Sequence, residues 1–133
     1  MKLFVDTSAW LALHDKNDQF HKQAVEKNFT IKKGRIELIT SEYVLDESIT
    51  LIRFRVSHEA SVIFGESLFH SSIITIAYIN TIERQKAWDF FKKYKDKEFS
   101  FTDCTSFIIM KTLNIKRAFT FDNHFNQIGF ELF

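Results

Sequence analysis

The sequence predicts an α/β fold, with a mostly parallel sheet covered by helices on both faces. Two observations predict it. Short apolar runs rich in β-branched and aromatic residues alternate with longer helix-forming segments along the 133-residue chain. Three of those runs stop at an aspartate: Asp6, Asp103 and Asp122.

Leu3-Phe4-Val5 is an apolar run bounded by polar turn formers, and it reads as a buried strand ending at Asp6. Thr7-Ser8 leads into a helix through Ala9–Leu13. Asp18 to Asn28 reads as a second short helix, capped by Asn17 or Asp18, and Lys32-Lys33-Gly34-Arg35 as a basic turn. Glu37 to Thr40 is a second strand. Thr40 or Ser41 caps the helix that follows to about Val56, with Glu42 in the first turn, where the helix dipole favours an anion. Ser57 separates it from a helix over His58–Phe69. Ile73 to Tyr78 is β-branched and forms a third strand. Asn80 or Thr81 caps a helix to about Tyr94, with Trp88, Phe91 and Tyr94 on an apolar stripe. Phe99-Ser100-Phe101 reads as a short strand ending at Thr102-Asp103, followed by a helix from Cys104 to Leu113. Ala118 to Phe121 is a fifth strand ending at Asp122-Asn123, and Phe130 to Phe133 a terminal edge strand.

The length fits one domain, residues 1–133, and no linker or internal repeat divides it. At 45% hydrophobic residues, with sixteen Phe, the core is expected to be aromatic. A formal net charge of +1 makes any basic surface local rather than global. One cysteine, Cys104, excludes an internal disulfide and a multi-cysteine zinc site, and favours a reducing compartment. No apolar stretch approaches the ~20 residues that span a bilayer, and no export signal is visible, so a cytoplasmic location is expected. Three glycines leave no room for a dinucleotide fingerprint or a Walker A loop.

In a parallel sheet the C-terminal strand ends share one edge, the usual ligand edge of open α/β sheets. Asp6, Asp103 and Asp122 would converge there. Each alone has a local explanation, since Asp6 and Asp103 stand where helix caps belong and Asp122-Asn123 is turn chemistry. Capping does not account for the recurrence at one edge. Glu47 adds a fourth acid: its helical neighbours Tyr43, Val44, Thr50 and Leu51 put it largely on the inward stripe, while Asp46 falls on a more solvated face. An inward carboxylate is compensated by a salt bridge, here to Arg53 or Arg55, or by a shared cation. Four clustered carboxylates call for counter-charge, and Mg²⁺ or Mn²⁺ suits oxygen ligands; Zn²⁺ would want Cys or His, and the histidines are scattered in sequence. Such a site suits phosphodiester hydrolysis.

Four stretches occur in order: VDTS (Val5 to Ser8), SEYVLDES (Ser41 to Ser48), FTDCTSF (Phe101 to Phe107), and TFDNHF (Thr120 to Phe125) followed by Gly129-Phe130. With them the whole chain resembles the PIN domain, and within it the single-domain VapC-like toxins of prokaryotic toxin–antitoxin pairs. The resemblance implies a Rossmann-like three-layer α/β/α sandwich and a metal-dependent endoribonuclease acting on single-stranded RNA. Its acids fall on Asp6, Glu47, Asp103 and Asp122, and its small hydroxyl on Ser8. An RNA substrate, an antitoxin partner and a homodimer are expected with it, and no membrane. A non-catalytic RNA-binding or RNA-processing module on the same fold is the alternative. Transfer through an aspartyl phosphate would need a second Asp where Ser8 stands. No histidine pair supports metal-free transphosphorylation, so the expected products carry 3′-hydroxyl and 5′-phosphate ends.

Thr120 either orients Asp122 or packs within its strand. Cys104 reads as core packing rather than as a nucleophile, and His124 as a solvated turn residue, with substrate contact as the alternative. Arg53, Arg55, Lys92 and Lys93 are candidate RNA-backbone contacts, or simply solvated helix surface. Phe64, Leu68 and Phe69 read as core, or as a dimer or antitoxin surface.

Overall fold

A computed structural model describes residues 1–133. Five strands form one sheet in the order β3-β2-β1-β4-β5. They are β1 (Lys2–Val5), β2 (Glu37–Ser41), β3 (Ile74–Ala77), β4 (Arg117–Phe119) and β5 (Glu131–Leu132). Every neighbouring pair is parallel, as expected from the strand–helix alternation. Seven helices complete the α/β sandwich: α1 (Thr7–His14), α2 (His21–Gly34), α3 (Glu42–Arg55), α4 (His58–Phe69), α5 (Thr81–Lys93), α6 (Phe101–Thr112) and α7 (His124–Gln127). The strand order reverses at β1. The chain runs outward through β2 and β3, then crosses back to place β4 on the other side of β1. A crevice outside the strands' C-terminal ends is built into such a switch point.

The central strand is apolar because it is covered on both faces: Leu3, Phe4 and Val5 are all fully buried. Phenylalanines carry the core outward from it. Phe4 meets Phe125, which meets Phe107, which meets Phe99, at centroid distances of 6.3, 5.0 and 5.1 Å, the last two edge-on.

Local cap chemistry sets several helix starts, as expected at Ser41 and Asn80. Ser41 accepts from the Val44 amide, Ser57 from the Ala60 amide, and Asn80 from the Glu83 amide in a full capping box. Four expectations are corrected. The second helix starts later and runs to Gly34, so Lys32-Lys33-Gly34 is its last turn. Arg35 closes it in the left-handed conformation (φ 51°). Phe99-Ser100-Phe101 is not a strand. Ser100 caps α6, accepting from the Asp103 amide at 2.9 Å while the Asp103 carboxylate accepts from the Ser100 amide at 3.0 Å. That reciprocal pair outweighs the alternation of a three-residue run. On α5 the inward face is Ala87, Phe90 and Tyr94, whereas Trp88 and Phe91 are exposed. On α4, Phe64 and Leu68 are core as expected, but Phe69 is exposed.

Candidate active site

Asp6 is where β1 ends and α1 begins. Its amide donates to Phe119 O at 3.0 Å, locking the end of β1 to β4, and its carbonyl accepts from the Ala9 and Trp10 amides. Its side chain does not cap the helix. Instead Oδ2 accepts hydrogen bonds from Thr120 Oγ1 at 3.0 Å and Ser8 Oγ at 3.2 Å. Ser8 in turn accepts from the Phe121 amide at 2.9 Å, and Thr120 Oγ1 accepts from the Asp122 amide at 3.0 Å. Two hydroxyls therefore tie the end of β1 to the turn after β4. The sequence offered Ser8 and Thr120 as secondary residues, and the structure joins both to Asp6.

Asp103 reaches the same place from the first turn of α6. Its Oδ2 accepts from the Ser100 amide and faces His124 Nδ1 at 2.8 Å. Asp122, just past β4, accepts from the His124 amide through Oδ1, and its Oδ2 lies 3.1 Å from the same Nδ1. Glu47 enters from α3, half-buried, with no ion pair to Arg53 or Arg55. Asp46 is exposed, as expected.

All four acids, Asp6, Glu47, Asp103 and Asp122, line one open cleft of about 530 Å³ at the C-terminal edge of the sheet. Ser8, Asn123, His124, Arg55 and Glu98 line it too, and the loop position of Glu98 gave no signal in sequence. Arg53, Lys92 and Lys93 lie outside it. Arg53 borders a shallow groove between α3 and α4, Lys92 pairs with Asp89 at 3.5 Å, and Lys93 sits over the Tyr94 ring.

His124 corrects the sequence reading. It is a half-buried bridge between two carboxylates rather than a solvated turn residue. A ligand atom from each of Asp103, Asp122 and His124 falls within 4.8 Å of the others, so this group can hold a metal ion. Its only sequence signal is the two-residue spacing from Asp122.

Asp6 and Asp103 are buried close enough for their charges to disfavour one another. Burial, reinforced by the charge of Asp103, pushes the Asp6 carboxyl up to about 7, against the hydrogen bond from Thr120. Burial also raises Asp103, and the Ser100 amide and His124 oppose that rise. Cys104, the next residue, is buried and its thiol is pushed up to about 11, so it is a packing residue and not a nucleophile.

Residues 3–131 match the PIN domain family. The chain belongs to the PIN domain family. Among curated PIN relatives it is 33% identical to the 23S rRNA-specific endonuclease VapC20 of Mycobacterium tuberculosis, over 96% of this chain and 95% of that protein. It is 25% identical to a VapC ribonuclease of Archaeoglobus fulgidus, over 95% of this chain and 80% of the other. The crystal structure of M. tuberculosis VapC20, described as a sarcin–ricin loop cleaving toxin, superposes with a TM-score of 0.87 at 30% identity, covering 96% of this chain and 95% of that one. VapBC2 of Rickettsia felis, solved with a promoter DNA fragment, superposes with a TM-score of 0.72 at 13% identity, covering 100% and 98%, a likeness of fold alone. No helix of this PIN domain is long and apolar enough to cross a membrane.

Proposed function

We propose that this protein is an endoribonuclease that hydrolyses phosphodiesters in single-stranded regions of RNA, using Mg²⁺ or Mn²⁺ held by Asp6, Glu47, Asp103 and Asp122. The observation that carries the reading is the gathering of those four acids in one open cleft at the switch point of the sheet. The donor set fits a divalent cation: carboxylate oxygens dominate, one imidazole nitrogen stands among them, and burial together with the Asp103 charge pushes the Asp6 carboxyl up to about 7. A bound divalent cation supplies neutralisation of the scissile phosphate and a more acidic water.

The chain's own residues supply the rest. Ser8 and Thr120 hold Asp6 at one oxygen. The Ser100 amide and His124 hold Asp103, and His124 links it to Asp122. Glu47 faces them from α3, and Arg55 places positive charge at the cleft wall, where a phosphate backbone would run.

The relationship to VapC20 makes large-subunit ribosomal RNA the first substrate to test. We read the chain as the toxin of a type II toxin–antitoxin pair, working as a single-domain protein in the cytoplasm, as a homodimer, and restrained by an antitoxin protein. The decisive experiment compares wild type with Asp6→Asn on ribosomal RNA and tRNA, with Mn²⁺ and with EDTA. Wild type with Mn²⁺ should cut to 3′-hydroxyl and 5′-phosphate ends, and EDTA or Asp6→Asn should abolish cutting. Equal cleavage by both proteins, or 2′,3′-cyclic phosphate ends, would overturn the reading.

A further inference from the structure

We propose that the loop between α1 and α2 makes a base-binding subsite of the cleft, in which an unpaired base next to the scissile phosphate stacks on Phe20 and shows its edge to Gln19. The assignment rests on the ribonuclease reading and names the part of the substrate that this corner holds. The cleft is polar almost throughout, and its apolar lining is confined to Leu11, Phe20, Leu51 and Phe121. Two of those four are rings in contact. Phe20 and Phe121 lie face to face, with centroids 4.7 Å apart and planes 2° from parallel. That is the offset-stacked arrangement that aromatic quadrupoles favour. Phe121 is covered further: Phe119 meets it edge-on at 6.0 Å, and the Lys27 ammonium lies 5.7 Å from its centroid. Phe20 is the end ring of the stack and is half-buried.

The stack is fixed to the acids. Phe121 directly precedes Asp122, and its amide donates to Ser8 Oγ, which donates to Asp6. The loop that carries Phe20 is fixed as well. Asp15 Oδ1 accepts from the Asn17 amide at 3.0 Å, and Asp18 Oδ1 from the Phe20 amide at 2.8 Å. The Asp15 and Asp18 carbonyls accept from the Asp18 and His21 amides, each at 3.0 Å. His21 Nδ1 meets the Ala12 carbonyl at 2.6 Å and ties the start of α2 back to α1. The Gln19 side chain takes part in none of these bonds, yet it is exposed and lines the cleft beside Phe20. Its amide therefore offers both donor and acceptor to whatever enters.

The acids decide what enters. A phosphodiester held at Asp6 and Asp122 carries its neighbouring base on one sugar, so that base stays within the cleft. A base has apolar faces and a polar edge. Stacked rings with a free amide beside them match both, which is how single-stranded RNA is recognised.

The probe is a single-stranded RNA decamer that wild type cuts once in Mn²⁺, made also with an abasic residue at either position flanking the cut. At one of those positions, loss of the base should lower kcat/KM of wild type about five- to a hundred-fold, the range for one base–aromatic stack. Phe20→Leu, which keeps apolar packing and loses the ring, should fall as far on intact RNA. On that abasic RNA it should stay within about two-fold of wild type, because the contact is already gone. Phe20→Tyr should stay within about three-fold of wild type on intact RNA. Gln19→Ala, at an exposed side chain, tests the edge contact independently of how Phe20→Leu folds. It should flatten the preference among the four bases at that position by about five-fold or more. Unchanged base preference in Gln19→Ala would overturn the edge contact. Equal losses by Phe20→Leu on intact and abasic RNA, or a wild type indifferent to both abasic positions, would overturn the stack and leave the nuclease reading standing. A wild type that cuts no RNA would overturn both.

Discussion

Thr120 Oγ1 donates to Asp6 Oδ2 across 3.0 Å, although 114 residues separate the two in the chain. The same oxygen accepts the Asp122 amide. One buried hydroxyl thus sets the positions of two acids, and its removal should act on both. Thr120→Val keeps the shape, loses the donor to Asp6 and orphans the Asp122 amide. Stability should fall by about 1–3 kcal/mol. RNA cleavage should fall further than that loss explains. Because the Thr120 bond opposes the rise of Asp6, the acidic limb of the pH–rate profile should move to higher pH. An unmoved limb would show Thr120 to be packing alone.

Asp6→Asn should remove cleavage and spare the fold, and its stability should carry a pH signature. The folded carboxyl is raised from 3.8 to about 7, so without a cation the folded state binds more protons than the unfolded chain between those values. The favourable contribution is complete below 3.8 and is lost as pH rises through about 7. Wild type should therefore lose on the order of a few kcal/mol along that path, and the Asn variant should not. Urea unfolding in EDTA at pH 5 and pH 8 measures it: the advantage of Asp6→Asn should be larger at pH 8. An equal advantage at both would contradict the burial of Asp6.

His124 bridges Asp103 and Asp122, and the three together could hold a cation. His124→Ala should weaken Mn²⁺ binding by about ten- to a hundred-fold, whether the ring ligates or orients the carboxylates. Calorimetry with Mn²⁺ reads this without RNA. Unchanged affinity would place the ring outside the cation's surroundings.

Ser100→Ala removes half of the capping box that starts α6. The expected cost is about 1 kcal/mol, seen in thermal unfolding. Asp103 loses an anchor of its helix turn, so kcat should fall more than KM rises. A variant with lowered stability and unaltered kcat would confine Ser100 to the cap.

Much of the fold was legible because its signals are local. Ser41, Ser57 and Asn80 cap helices through amides three residues away, a distance sequence spacing measures directly. The acids were legible for a related reason: Asp6 and Asp122 follow apolar strand residues, and Glu47 shares a helix face with apolar neighbours. The misreadings share a cause too. Phe99-Ser100-Phe101 alternates like a strand, but the amide of Asp103 and the hydroxyl of Ser100 had a better use for those residues. Trp88 and Phe91 repeat with helical period, and periodicity says that residues share a face, not which side that face takes.

The sequence by itself determined the strand–helix alternation outside Phe99–Phe101, the caps at Ser41 and Asn80, and the candidate acids at or near element ends. Only the tertiary structure decided that they line one cleft. Placing β4 beside β1 brings Thr120, Asp122 and His124 to Asp6, and packing α6 beside them brings Asp103 in from a helix turn rather than a strand end. The reason is physical: a cap or a strand pattern depends on neighbours a few residues apart, whereas a hydrogen bond across 114 residues exists only after the crossovers have chosen the strand order. Asp6 began as the end of a strand, and that choice of neighbours makes it a buried acid.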